Sequence, residues 1–443
     1  MYQVHGMVPT VWRDNLKVAN ETIIVVSDVR VVKELLDDRS RETSSRPFFY
    51  ALDVVSGGNY FALASSGECS SRVRWVRCIM TLKQIVTSGK RGAKQYNLSP
   101  QAIQGYIPIM VAETTQLLYD TLHNPEFSLY YMIFFKHLIQ SSQDFCSHVS
   151  RSIFSFIASV VFGKSATRHN SPEPTQFREY MRQLSRVVSP EAASVDLIPI
   201  LMYVPERWAP WKRLWRKTRK LQRALYFSLL EHAEQRINSG NRSNNFIKNI
   251  LDPQSELGLN REMTAYIGGI MIDGGTDTSS TLILSLALCL LKSPDVLQKA
   301  QDEIDAVVGN KRLPVSSDIN ALPYIYPSND KRCSLKIDPA SFIIVVTKDI
   351  HRNFVRDLLA PLVSLMPQSM IVKYVLFYGN IWIRNNMNKD LFERPDEFWP
   401  ERYLLTPDGT KPGLDKDYTI RSTFPFGSGK RLCPGMHLGA TNT

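Results

Sequence analysis

From 261 to 292 the chain reads REMTAYIGGIMIDGGTDTSSTLILSLALCLLK, apolar at helical spacing almost all the way round. A helix without a polar side has nothing to offer solvent, so this one belongs at the centre of a fold with other elements covering it. Its longest largely apolar run, Thr281 to Leu291, is too short to cross a bilayer. The constraint is therefore a mostly helical protein built around one buried helix.

The flanking sequence supplies the cover. ETIIVVSD (21–28) is β-branched and reads as a strand, and Ser27 and Asp28 can cap a helix over VRVVKELLDDRS. The pattern is helical between 100 and 165, ending in SIFSFIASVVFGKSA with Gly163 as its stop. Residues 211–236 form a long helix carrying a basic run from Lys212 to Arg223. After the central helix, Ser293 and Pro294 cap and start another, closed by Gly309. The reading is mostly α with minor β; length alone suggests about three average domains, although large single-domain enzymes also reach this size. Two stretches, 69–97 and 325–378, lack any sustained period or turn punctuation.

Composition narrows the class. Of 443 residues 44% are hydrophobic and 21% charged, with 22 Gly and 25 Pro, which excludes disorder and collagen-like repeats and allows a large core. Six cysteines show no CxxC pair and suit a reducing compartment rather than a disulfide scaffold. The N-terminus, MYQVHGMVPTVWRDN, has no apolar segment, so neither signal peptide nor anchor is expected from it. The net charge of +11 favours anionic partners, but no motif or stacking aromatics support nucleic-acid binding.

Chemistry concentrates in FPFGSGKRLCPG (424–435). Cys433 lies between a Gly-rich turn and Gly435, beside Lys430 and Arg431; backbone N–H groups and positive charge both favour the thiolate, the form that ligates metals. Gly427, Gly429 and Gly435 would let a bulky flat cofactor approach the backbone. Phe426 could cover one face of it and Arg431 could pair with its carboxylate. A lone cysteine here more often reads as a small buried residue in a turn. A phosphate loop is excluded, because Phe424 stands where a glycine is needed and Arg431 where Ser or Thr is needed.

The second constellation is GGTDTS (274–279), inside the central helix. Gly274 and Thr278 are four apart and share a face, so the Thr278 hydroxyl can bond the Gly274 carbonyl and open a groove for a diatomic ligand. Asp277 and Thr278 could then pass protons. Close glycine packing with a satisfied Asp277 is the plainer reading of either pair alone.

Together, Phe426, Gly429, Arg431, Cys433 and Gly435 match every defining position of the haem-binding loop of cytochromes P450, and 274–279 resembles that family's oxygen-binding helix motif. PDEFWPERY (395–403) is a third likeness, and VDLIPILMYVPERWAP (195–210) looks like the family's substrate-access region. The likeness is greatest to fungal microsomal-type members. It implies the cytochrome P450 fold, a helical bundle with a small β region around haem b, as a single domain over residues 1–443. The implied reaction is RH + O₂ + 2e⁻ + 2H⁺ → ROH + H₂O, on a small hydrophobic substrate. By resemblance, Cys433 is the axial ligand of the haem iron and pushes electron density onto it. Asp277 and Thr278 deliver protons, Gly274 and Gly275 shape the pocket above the iron, and Arg402 ties its loop to a Glu-x-x-Arg pair. Electrons would come from NADPH through NADPH-cytochrome P450 reductase. The implied location is the cytosolic face of the endoplasmic reticulum membrane, with the Lys212–Arg223 face available to anionic lipid.

The resemblance breaks in the two patternless stretches. Asp349-Ile350-His351-Arg352 is the nearest substitute for Glu-x-x-Arg, with Asp349 one methylene short; Glu179 to Arg182 has the spacing but stands too early. Gly89 and Ala93 stand where the family has Trp and Arg to hold a haem propionate, leaving Arg91 or Lys94 as weak substitutes. The alternative reading is a catalytically inactive P450-derived pseudoenzyme or a mis-spliced product. A basic helical binding protein would leave both motifs unexplained.

Overall fold

The computed structural model describes residues 15–18, 21–24, 29–44, 49–63, 98, 100–123, 138–168, 171–188, 194–240, 245–251, 259–309, 312, 314–325, 391–395, 397–406, 409–413 and 426–442. They fall into two compact units.

The first unit draws on Met1–Ser44, Cys289–Lys348 and Val372–Cys433. Strands β1 (Asn15–Val18) and β2 (Glu21–Ile24) pair antiparallel with Val18 opposite Glu21. The strand expected over 21–28 is thus described as far as Ile24. Helix α1 (Val29–Val32) widens into a π-helix over Lys33–Asp38, breaks at Arg39, and resumes as α2 (Ser40–Thr43). The Thr43 hydroxyl donates to the Leu35 carbonyl at 2.6 Å, taking up a carbonyl of the widened turn. The capping residues Ser27 and Asp28 lie outside the described residues.

The second unit draws on Ser45–Leu288, Asp349–Ile371 and Pro434–Thr443. It holds α3 (Tyr50–Ser56), α4 (Pro100–Gln104), α5 (Ile107–His123), α6 (Leu138–Phe162), α7 (Pro172–Val187), α8 (Ser194–Leu197), α9 (Pro210–Asn238) and α10 (Phe246–Leu251). Helix α6 stops where the sequence predicts: Gly163 takes φ 71°, and its N–H bonds the Ser159 carbonyl at 3.0 Å. Helix α11 (Arg261–Lys292) is continuous over the expected span, and its residues up to Leu288 belong to this unit. The unit's core joins Phe154, Phe156 and Phe162 of α6, Phe177 of α7, Leu225, Leu229 and Leu230 of α9, and Ile267 and Ile272 of α11. Each such buried side chain contributes about 1.5–3 kcal/mol against exposure.

By length and composition, Phe145–Phe162 and Arg261–Lys292 could each cross a membrane. The first is 72% buried within the protein and carries the fully buried Arg151, so it is a core helix here. Arg151 Nη1 donates to Glu113 Oε2 of α5 at 3.0 Å and to the Ala166 carbonyl at 3.2 Å. Ser155 Oγ donates to the other Glu113 oxygen at 2.5 Å and accepts from the Ala166 N–H at 2.7 Å. The buried charges are thus neutralised and hydrogen-bonded together.

Back in the first unit, α12 (Pro294–Val307) starts with Pro at its first turn. The expected cap needs correcting: the Ser293 side chain makes no cap bond, and its carbonyl accepts the N–H groups of Val296 and Leu297 at 3.1 and 3.0 Å. Proline at N1 removes one orphan donor, so less remains for a side chain to satisfy. Gly309 beyond the end takes φ 69°. Helix α13 (Arg402–Leu405) belongs to this unit and α14 (Met436–Asn442) to the second.

Candidate active site

Cys433 closes a tight loop. Its N–H donates to the Phe426 carbonyl at 2.7 Å, across a turn in which Gly427 and Gly429 take φ 84° and 56°. The residue is exposed, so the expectation of a small buried cysteine fails. Gly429–Arg431 form a single 3₁₀ turn. The loop is tied to the π-helical turn: Gly429 N–H donates to Asp37 Oδ1 at 2.9 Å, and Arg431 Nε donates to the Ser44 carbonyl at 2.8 Å. A Cβ on Gly429 would collide with the Leu36 carbonyl oxygen and come within 2.8 Å of Ser40 Cβ. Gly429 therefore has a packing reason of its own as well as a left-handed backbone.

On α11, the predicted bond is present: Thr278 Oγ1 donates to the Gly274 carbonyl at 2.5 Å. A Cβ on Gly274 would meet nothing within 4 Å, whereas one on Gly275 would press on Ile157 at 2.9 Å. The open side of the helix is thus at Gly274 and the packed side at Gly275. One oxygen of Asp277, Oδ2, is closed off from solvent without a hydrogen-bond partner among the described residues. Burial pushes the Asp277 carboxyl up to about 7, helped by the negative charge of Asp273 one turn earlier.

Asp273 is the residue that reasoning from sequence missed. It is 4% exposed, and its Oδ2 accepts hydrogen bonds from Tyr226 at 2.6 Å, Tyr180 at 2.8 Å and Tyr60 at 3.4 Å. Gln222 Nε2 donates to the Tyr180 hydroxyl at 2.8 Å, extending the network into α9. Gly269 lies against the Tyr226 ring, where a Cβ would collide, so a glycine is needed for α9 and α11 to come this close. Burial raises the Asp273 carboxyl to about 7 despite three donors that favour its anion. The three tyrosines are held far above their ordinary range by the same burial and by the Asp273 charge.

Arg402 is 1% exposed and bonds carbonyls of its own loop: Nε to Trp399 at 3.1 Å, and Nη2 to Arg394 at 2.8 Å and Glu397 at 3.1 Å. Its expected partners Asp349 and Arg352 lie outside the described residues, as do Gly89, Arg91, Ala93 and Lys94. Glu179 and Arg182 form an exposed pair at 2.7 Å along α7, a surface bridge rather than a buried support. Much of the basic run is engaged locally. Arg219 donates to the Val54 carbonyl at 2.8 Å and Lys212 to that of Met202 at 2.6 Å, while Arg216 pairs with Glu206 and Arg223 with Glu262.

Among the described residues no three His, Cys, Asp or Glu side chains converge as a metal site. The single exposed Cys433 sulfur suits an iron whose equatorial ligands arrive with its macrocycle, so the residues present fit a haem. The sequence model of cytochrome P450 matches residues 129–326 and 380–442, more than half of the chain. The chain belongs to the cytochrome P450 family. The match leaves residues 1–128 and 327–379 uncovered. A cytochrome P450 monooxygenase of Armillaria gallica is 30% identical over 431 residues, covering 96% of this chain and 72% of that protein. The cytochrome P450 monooxygenase atE of Aspergillus terreus is 29% identical, covering 97% and 72%. A zebrafish cytochrome P450 solved with progesterone shares the fold at TM-score 0.59 and 16% identity, covering 97% of this chain and 86% of that one. Family membership makes this P450 a monooxygenase by resemblance, using haem and dioxygen, a redox partner and small organic substrates.

Proposed function

We propose that this P450 inserts one oxygen atom of O₂ into a small hydrophobic organic substrate, with haem b held by Cys433 and electrons passed from NADPH by NADPH-cytochrome P450 reductase. The observation that carries the reading is the Cys433 loop, closed by its own N–H on the Phe426 carbonyl with the residue left exposed. Haem bound there supplies the reductive activation of dioxygen. Phe426 and Arg431 complete the binding loop, the first as an apolar cover and the second as a cation for a carboxylate of the cofactor.

The helix motif serves proton supply. The Thr278 hydroxyl is oriented by the Gly274 carbonyl, and Asp277 is a carboxylic acid whose burial keeps a proton available near neutral pH. Around them Ile157 packs on Gly275 and Ile272 is fully buried, so water has little access from that side. Attachment to the cytosolic face of the endoplasmic reticulum is proposed through the segment between α8 and α9. There Ile198, Ile200, Tyr203 and Trp208 are 49%, 72%, 82% and 65% exposed. Such residues lower their free energy in a lipid interface.

The test is the ferrous–CO difference spectrum of the full chain expressed with haem. A red-shifted thiolate band, lost in Cys433→Ala, is expected; its absence from the parent chain would overturn the reading. Residues 327–379, outside the family match, favour a second reading, the inactive pseudoenzyme or mis-spliced product. That reading expects no band from this chain.

A further inference from the structure

Asp273 and Asp277 stand one turn apart on the same face of α11. Two carboxylates one turn apart, Asp273 buried and Asp277 partly so, cannot both ionise cheaply, so the pair retains a proton that exposed aspartates would have lost. Where that proton rests depends on the hydrogen bonds. Asp273 Oδ2 accepts from three hydroxyls, contributed by Tyr60 after α3, Tyr180 of α7 and Tyr226 of α9. Donors aimed at one oxygen stabilise the anion. One oxygen of each carboxyl, Asp273 Oδ1 and Asp277 Oδ2, is closed to solvent with no partner among the described residues, so the three hydroxyls on Asp273 Oδ2 are what distinguishes the two. No lysine, arginine or histidine among the described residues contributes to either carboxyl; the groups that act are the three tyrosines and the two aspartates themselves.

We infer that Asp273 is a positioning residue: because Tyr60, Tyr180 and Tyr226 favour its anion over that of Asp277, the proton the pair shares rests on Asp277, so that the proton-delivering side chain begins each turnover with a proton to give. This rests on the monooxygenase reading for the use of the proton, but not for its location. The device spans four segments of chain, since the tyrosines lie 213, 93 and 47 residues from Asp273. Any movement of α9 against α11 would therefore change the acid strength of Asp277.

Infrared titration of the haem-loaded full chain tests this. A protonated-carboxyl C=O band that titrates near neutral pH is expected, weakened in Asp277→Asn and, in Asp273→Asn, fully present only at acid pH. In Asp273→Asn its midpoint falls by about one pH unit or more, because the neighbouring charge is gone. Should that variant fail to fold, Tyr226→Phe supplies the same sign, since weakening the Asp273 anion draws the proton away from Asp277. A band missing from Asp273→Asn even at acid pH, or a midpoint that neither variant moves, overturns the inference. The ferrous–CO band, recorded on the same samples, separates the two readings. Its absence from the parent chain would remove the proton-delivery role, whereas a moved midpoint would still establish the coupling.

Discussion

The hydroxyl of Thr278 donates a 2.5 Å hydrogen bond to the carbonyl of Gly274, one turn back along α11. The bond diverts a carbonyl beside the open flank of the helix and fixes where the hydroxyl oxygen sits. Replacing Thr278 by Ala removes the hydroxyl while changing little packing. Product formation per O₂ consumed is expected to fall, with the rate down by about 10²-fold, and Thr278→Ser should recover most of it. The ferrous–CO band should remain. Unchanged coupling in Thr278→Ala would show that the hydroxyl takes no part in proton supply.

Gly429→Ala is expected to damage the cysteine loop. The left-handed backbone alone costs an Ala about 1–3 kcal/mol, and the new Cβ must also displace the Leu36 carbonyl. Haem retention after gel filtration and the melting temperature should both drop. Retention equal to the parent would mean that the loop does not need its seat on the π-helical turn.

Removal of Arg151 leaves Glu113 buried and uncompensated. Arg151→Ala is expected to destabilise the fold by about 3–5 kcal/mol, read from denaturant midpoints. Arg151→Met with Glu113→Leu should recover much of that loss, because the double variant removes the Arg151–Glu113 pair and leaves only Asp120, which lies 3.6 Å from Arg151 Nη2 and is 18% exposed. If the single variant lost less than the double, the pair would not be holding α5 to α6.

The pH dependence has a definite sign. Asp273 and Asp277 are raised from the ordinary 3.8 to about 7. Between those values the folded chain holds a proton that the unfolded chain has released. Stability from this pair is therefore full below pH 4 and is lost as pH rises towards 7, by about 1.4 kcal/mol per unit for one proton. Denaturation midpoints of Asp273→Asn/Asp277→Asn should be flatter across that window than those of the parent. Parallel curves would show that the carboxyls titrate as ordinary exposed groups.

Much of this architecture is legible along the chain because local rules set it. Gly163 ends α6, Pro294 starts α12, and a run apolar on every side is the long helix α11, buried chiefly over residues 264–273. The Cys433 loop is legible for the same reason, since five residues within ten positions carry it. Asp273 is not, because its meaning lies in Tyr60, Tyr180 and Tyr226, which periodicity cannot bring together. One signal was available: a carboxylate inside an apolar helix, four residues before Asp277, needs buried donors from elsewhere. Ser293 misled through propensity alone, as a good capping residue whose hydroxyl goes unused once Pro294 follows.

The seat of Gly429 on the Leu36–Asp37 turn has a consequence for biosynthesis. The two contact points are 392 residues apart, so the ribosome releases the turn roughly 20–80 s before the glycine that must settle on it. During that interval the early segment has no native partner for this contact. The contact between the cysteine loop and this turn therefore forms only after the loop itself has been made.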